Sequence, residues 1–199
     1  MDSSSSPSDS GAGLLTISAK IVIAGGFGVG KTTMVNSVSE VAPLNTDAWM
    51  TEASEGIDDP PNGKKSTTTV AMDFGRITLH EDLLLYLFGT PGQSRFWFLW
   101  DDLSRGALGA VVLVDTNRIE QSFAAVNYFE HDSVLPFIVA VNRFEGKPSH
   151  DLDEVRDALA LADDIPLIEC DARDRASSIG VLKQVVGNSL ALSKVTAPG

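Results

Sequence analysis

Apolar runs bounded by turn residues recur along the chain and alternate with stretches of helical period. ISAKIVIA (17–24) reads as a strand, and residues 31 to about 41 as the helix behind it. TVAMDFGRITL (69–79) alternates as a half-buried strand. His80-Glu81-Asp82 then turns it into LLLYLF (83–88), which predicts an antiparallel hairpin. ALGAVVLVD (107–115), VLPFIVAVN (134–142) and IPLIEC (165–170) are further strands, with helical stretches near 117–130, 151–162 and 175–192. Asp151 opens the second of these, with acidic residues in its first turn as the helix dipole favours. Nearly continuous apolar strands separated by helices imply an α/β fold: a six-stranded, mostly parallel sheet with one antiparallel edge strand and helices on both faces. Residues 1–13, rich in Ser, Asp and Gly, read as a disordered tail, and 14–199 as one domain. Residues 43–66 form a long connection without periodicity, the kind that in a compact domain is functional or mobile.

Composition narrows the function classes. The 199 residues suit a single domain, and 43% hydrophobic content excludes a disordered or fibrous protein. The net charge of −12 argues against a nucleic-acid surface and against direct adsorption to anionic lipid, so membrane association would come through a partner. No apolar stretch approaches the ~18 residues of a membrane span. The start lacks the pattern of a secretory signal and the C-terminus a lipidation box. The single cysteine, Cys170, allows no internal disulfide and fits a reducing cytoplasm. His80, His131 and His150 have solvated or capping positions and no metal-ligand spacing.

The chemistry begins at GGFGVGKTT (25–33), between a strand and a helix. Glycines there let successive backbone N–H groups turn inward around a polyphosphate at a helix N-terminus. Gly25, Gly28, Val29, Gly30, Lys31, Thr32 and Thr33 are the candidate phosphate set. Lys31 would reach the outer phosphates and the Thr32 hydroxyl would ligate Mg²⁺. FGTPGQSRF (88–96) ends another strand. Gly92 would set a backbone N–H on the γ-phosphate and Gln93 an amide over the attacking water. VAVNRFEG (139–146) ends a third, where open α/β sheets bind ligands. Asn142 offers an amide to a purine and Glu145 a carboxylate to N–H donors that guanine has and adenine lacks, which favours guanine. In CDARD (170–174) the Ala172 N–H could meet the guanine carbonyl, flanked by Asp171 and Arg173.

In order and spacing these motifs resemble the Ras-like small GTPases over residues 17–192, and within them the bacterial MglA-like group. LYLFGTPGQSRFWFLWDDLSRGALGAVVLVD, with NRFEG and DARDR, is similar to the conservon GTPases of actinomycetes. The resemblance implies a P-loop NTPase with a Ras-like G domain, GTP/GDP and Mg²⁺ as ligands, and Thr69 as the switch threonine closing on Mg²⁺ and γ-phosphate. It also implies a roadblock-domain partner and a complex with a sensor kinase-like protein. Three departures stand out. The family's D-x-x-G is Gly89-x-x-Gly92, so its Mg²⁺-supporting aspartate is missing. N-K-x-D becomes N-R-F-E, with Arg143 for lysine and Glu145 for aspartate. The arginine that MglA-like proteins carry before the switch threonine is Thr68. An arginine finger is worth about 10³–10⁵ in rate, so unassisted turnover is expected to be slow. Lys64, Lys65 and Arg95 are the nearest basic residues.

Five large apolar residues, Phe96-Trp97-Phe98-Leu99-Trp100, follow Gln93. A helix buries only three or four per two turns, so some of them should be exposed. Phe96, Trp97, Phe98 and Trp100 are therefore the expected surface for the roadblock partner. The expected function is a cytoplasmic GTP switch. Its rival is a pseudo-GTPase scaffold, favoured by Gly89, Glu145 and Thr68 and opposed by Gln93 with Lys31-Thr32-Thr33; a small-molecule kinase lacks an arginine-rich lid segment.

Overall fold

The structure, a computed structural model, describes residues 16–42, 46–48, 70–93, 96–144 and 150–196. Its sheet has the strand order β2-β3-β4-β1-β5-β6-β7. The strands are β1 (Ile17–Gly25), β2 (Thr46–Ala48), β3 (Val70–His80), β4 (Leu83–Gly89), β5 (Gly109–Val114), β6 (Phe137–Asn142) and β7 (Leu167–Cys170). β1 pairs in parallel with β4 and β5, β5 with β6, and β6 with β7. β3 runs antiparallel to both of its neighbours, β2 and β4. The hairpin and the mostly parallel sheet are as the pattern predicts. The expected edge strand is not at the edge, because the three-residue β2 covers the first part of β3. That strand lies within the stretch read as an aperiodic connection; three residues are too few to show a period.

The strands form because their apolar residues serve two faces at once. On one face Ile21, Ile23, Val111, Leu113, Ile138 and Leu85 pack against α1 (Lys31–Val38) and α5 (Arg175–Thr196) through Met34, Val35, Val38, Leu182 and Val185. On the other, Val22, Ala24, Val112, Val114 and Val139 pack against α2 (Leu99–Ser104), α3 (Phe123–Asn127) and α4 (Leu152–Leu159) through Trp100, Val126, Val155 and Leu159. Alternate residues of one strand thus enter opposite layers, and a strand buried on both faces reads as a continuous apolar run. The charged and polar residues accordingly collect at the strand ends, where the chain emerges from the core.

The expected helix at 117–130 is three pieces. A 3₁₀ segment, Thr116–Ser122, precedes α3, and a π turn, Tyr128–Asp132, follows it. Asp115 fixes the start by accepting the Asn117 N–H at 3.0 Å. At the far end the Ser133 N–H reaches back to the Tyr128 carbonyl at 3.0 Å. The widened turn lets Phe129 enter the core while the Tyr128 hydroxyl donates to Asp101 at 2.7 Å. Tertiary packing overrides local helical regularity here. α1 is also shorter than predicted, ending where Ser39 turns extended.

β1 turns toward α1 and the β3–β4 side, whereas β4 returns through α2 to β5 on the other side of β1. A crevice at the carboxyl ends of the strands follows from this reversal of winding. On α5, Leu182 is fully buried and Leu190 half exposed. In urea unfolding, Leu182→Ala is expected to lower stability by about 2–5 kcal/mol. Leu190→Ala should stay within about 0.5 kcal/mol of the parent.

Candidate functional site

The loop from Gly25 to Lys31 leaves the carboxyl end of β1 and enters α1. Gly30 is the N-cap residue at φ 107°, a left-handed conformation that glycine adopts without penalty. A β-carbon there would lie 2.6 Å from Asn142 Nδ2, so no side chain fits. Asn142, at the end of β6, is buried and uses both ends of its amide. Nδ2 donates to the Val29 carbonyl at 2.9 Å, and Oδ1 accepts the Ala172 N–H at 3.0 Å. The loop, β6 and the turn after β7 are thereby clipped together. The expectation that the Ala172 N–H points at a base is corrected: Asn142 already engages it.

Lys31 is buried under the loop and donates to the carbonyls of Gly25 at 2.9 Å and Gly26 at 2.6 Å. Burial lowers its pKa to about 8, against the opposing pull of the Asp73 charge. Thr32 and Thr33 are exposed at the start of α1. Gly92 lies against the loop, since a β-carbon on it would fall 2.9 Å from Lys31 Nζ and from the Phe27 nitrogen. Gln93 is exposed beside it, its carbonyl accepting the Phe96 N–H at 3.0 Å.

Asp73 is the residue that sequence reasoning missed. The β3–β4 register sets Asp73 directly opposite Gly89. The Thr32 hydroxyl donates to Asp73 Oδ2 at 2.8 Å. A β-carbon on Gly89 would lie 2.7 Å from Asp73 Oδ2 and 2.8 Å from its Cβ, so only glycine leaves room for this carboxylate. The aspartate that appears lost at position 89 is matched by a carboxylate from the adjacent strand, at the same strand end. Its signal was an acid inside a half-buried strand, placed opposite Gly89 by counting back from the hairpin turn.

On the base side, Arg143 is turned away into an ion pair with Glu169 at 2.9 Å. Arg173 pairs with Asp171 at 3.0 Å, and its hydrogen bonds hold the Asp171 carboxyl below the usual carboxylate range. Burial pushes the Cys170 thiol up to about 12, which leaves it an inert packing residue. Glu145, Thr68, Thr69, Lys64, Lys65, Arg95, the tail and the 49–68 stretch lie outside the described residues.

The aromatic segment divides. Trp97 is 43% and Phe98 54% exposed, whereas Phe96 is half-buried. Trp100, expected among the docking aromatics, is 2% exposed and stacks on Tyr128 and Phe129. It faces the core because α2 presents its Trp100–Leu103 side to the sheet.

A glycine loop between β1 and α1, with a hydroxyl, a carboxylate and a second strand-end glycine around it, defines a P-loop NTPase of G-domain architecture. Residues 23–192 match the family described as conserved hypothetical ATP binding protein, and the chain belongs to that family. It is 29% identical over 126 residues to an uncharacterized protein of Methanocaldococcus jannaschii, MJ1339, covering 62% of this chain and 69% of that one. It is 25% identical over 150 residues to the Ras-related protein RABD1 of Arabidopsis thaliana, covering 66% and 72%. In fold it is similar to the G domain of the T. maritima FeoB iron transporter, with TM-score 0.58 at 18% identity over 87% of this chain and 99% of that one. The larger FeoB cytosolic domain in a GDP form gives TM-score 0.61 at 18% identity. There the alignment covers 87% of this chain but 64% of the FeoB domain. Among the described residues no helix is long and apolar enough to cross a membrane.

Polyphosphate binding at this loop should follow the Lys31 charge. A bound phosphate raises the pKa of Lys31 above its free value near 8. Affinity is therefore expected to be flat below pH 8 and to fall above it, by up to about tenfold per unit, until the bound-state pKa is passed. Calorimetry of tripolyphosphate or nucleotide binding in buffers of different ionisation enthalpy would show proton uptake above pH 8. Lys31→Met should abolish that uptake.

Proposed function

We propose that the protein is a GTP-binding switch that hydrolyses GTP slowly and is stimulated by a partner. The observation that carries the reading is the convergence of Lys31, Thr32, Asp73 and Gly92 at the loop. The described donors fit Mg²⁺, which takes hard oxygen ligands and retains waters. Thr32 would ligate it, joined by Thr69 on the strength of the motif resemblance. When bound, the ion supplies neutralisation of the phosphate charge. A hydroxyl that donates its proton to Asp73 turns its lone pairs outward, which makes Thr32 the better ligand. Gly92 would offer its N–H to the terminal phosphate and Gln93 would orient water, since both adjoin the loop.

The family description names ATP. We favour guanine because Asn142 stands at the strand end with Glu145 three residues on. Asp73 weighs against the scaffold reading, since the carboxylate whose loss at position 89 motivated that reading stands on the next strand. Motif similarity supports placement with the MglA-like, conservon-type GTPases, and the exposed Trp97 and Phe98 offer hot-spot side chains for a roadblock-domain partner. Membrane recruitment through the sensor kinase-like complex belongs to the same reading.

Nucleotide released from the purified protein is expected to be GDP or GTP. Added roadblock protein should raise GTP turnover, and Trp97→Ala with Phe98→Ala should remove the stimulation while leaving the basal rate. Adenine nucleotide in the pocket, or none bound under any condition, would sink the proposal. A reciprocal exchange tests the carboxylate. Asp73→Gly alone and Gly89→Asp alone should each weaken Mg²⁺-dependent GTP binding about 10–100-fold. The double exchange returns one carboxylate to the same strand end and should recover most of the loss.

A further inference from the structure

The 3₁₀ segment after β5 is interrupted at Arg118, whose backbone (φ −143°, ψ 48°) is not helical. The break turns its side chain back across the crevice to the phosphate loop. Asp115, 6% exposed at the end of β5, holds the guanidinium from behind. Its Oδ2 accepts from Arg118 Nε at 3.0 Å and from Nη2 at 2.9 Å. The far edge of the guanidinium rests on the loop. Nη2 lies 3.4 Å from the Gly28 carbonyl, a long contact, and Nη1 makes no hydrogen bond among the described residues. A β-carbon on Gly28 would meet Nη2 and Nη1 at 3.4 and 3.5 Å, so glycine at this place opens the loop to the guanidinium.

A cation is therefore oriented in advance and left with an unspent donor edge beside a phosphate cradle. Anchoring by a buried carboxylate removes most of the rotamer freedom that binding would otherwise cost. A guanidinium edge suits phosphate oxygens, which form shorter and stronger bonds with it than a carbonyl at 3.4 Å does. The loop's other cation, Lys31, is committed to two loop carbonyls and carries a lowered pKa, whereas an arginine stays charged at any working pH.

We propose that Arg118 is a nucleotide-binding residue: its free guanidinium edge takes a phosphate oxygen at the Gly28 side of the loop, with Asp115 as its positioning residue. The inference rests on the nucleotide-binding reading above and adds to it a second phosphate cation, from outside the motifs.

The test uses the full chain stripped of nucleotide, with GDP, GTP and guanosine as probes. Arg118→Gln is expected to weaken GDP and GTP binding about ten- to hundredfold, the range for one hydrogen bond between charged groups. Guanosine affinity and the melting temperature without ligand should not change. Arg118→Lys, which keeps the charge and loses the fork, should fall between. The ³¹P resonances of bound GDP should move in Arg118→Gln. Undiminished GDP binding in Arg118→Gln would overturn the proposal, as would an equal loss for guanosine, which marks a residue that only buttresses the loop. Lys31→Met separates the two levels of inference. If it abolishes GDP binding while Arg118→Gln retains it, only the role of Arg118 falls; if the parent protein binds no nucleotide, both fall.

Discussion

One side-chain amide holds the site together. Asn142 donates to the loop at Val29 and accepts from the turn after β7 at Ala172, so three segments far apart in sequence share a single buried residue. A buried amide left without partners would carry a desolvation cost of about 1–3 kcal/mol. The loop, β6 and the β7 turn therefore cannot separate independently. Gly30 is a corollary, because the amide occupies the space any side chain there would need. The left-handed turn that opens α1 and the strand-end residue two crossovers away are thus one constraint.

A second constraint concerns where a carboxylate can stand. The carboxyl ends of β1 and β4 and the facing stretch of β3 meet in a small volume already holding the start of α1. Two acids facing each other across the β3–β4 pair would repel, and the Gly89 contacts leave no space for a second side chain. The position is filled once, from either strand. Because β3 is antiparallel to β4, residues distant along the chain are direct neighbours there. An acid can therefore change strands without leaving the crevice. A linear motif reads such a change as a loss; the hairpin register reads it as a transfer.

This is also where legibility in the sequence divides. The strands and α5 were readable because the two-faced burial of Ile21–Ala24 or of Val111–Val114 writes an unbroken apolar run. The glycine loop was readable because its chemistry is local: consecutive N–H groups need consecutive residues. β2 was not, being held by pairing with β3 across a long connection. The breaks on either side of α3 were hidden for a related reason, since they answer to Asp115 and to the packing of Phe129. Trp100 was misassigned because an apolar run shows that some side chains must be exposed, and the helix phase that selects them is set by the sheet.

Asp73 and Arg118 share that origin. Each reaches the loop from an element whose sequence marks it as scaffold, and each is tied to its place by a contact across the crevice: Asp73 by Thr32, Arg118 by Asp115. The charge balance gives this arrangement a purpose. The chain carries a net charge of −12, and a polyphosphate approaching the loop meets that field as well as Lys31. Asp73 is compatible with an anion only if its charge is engaged, by the Thr32 hydroxyl and by a cation beside it. The Asp115–Arg118 pair leaves a guanidinium edge facing outward with its own counter-charge buried behind it. Both carboxylates thus end up turned away from the phosphate position, and the groups left facing it are N–H donors, a hydroxyl and a guanidinium. An acidic protein can in this way present an electropositive crevice without an excess of basic residues.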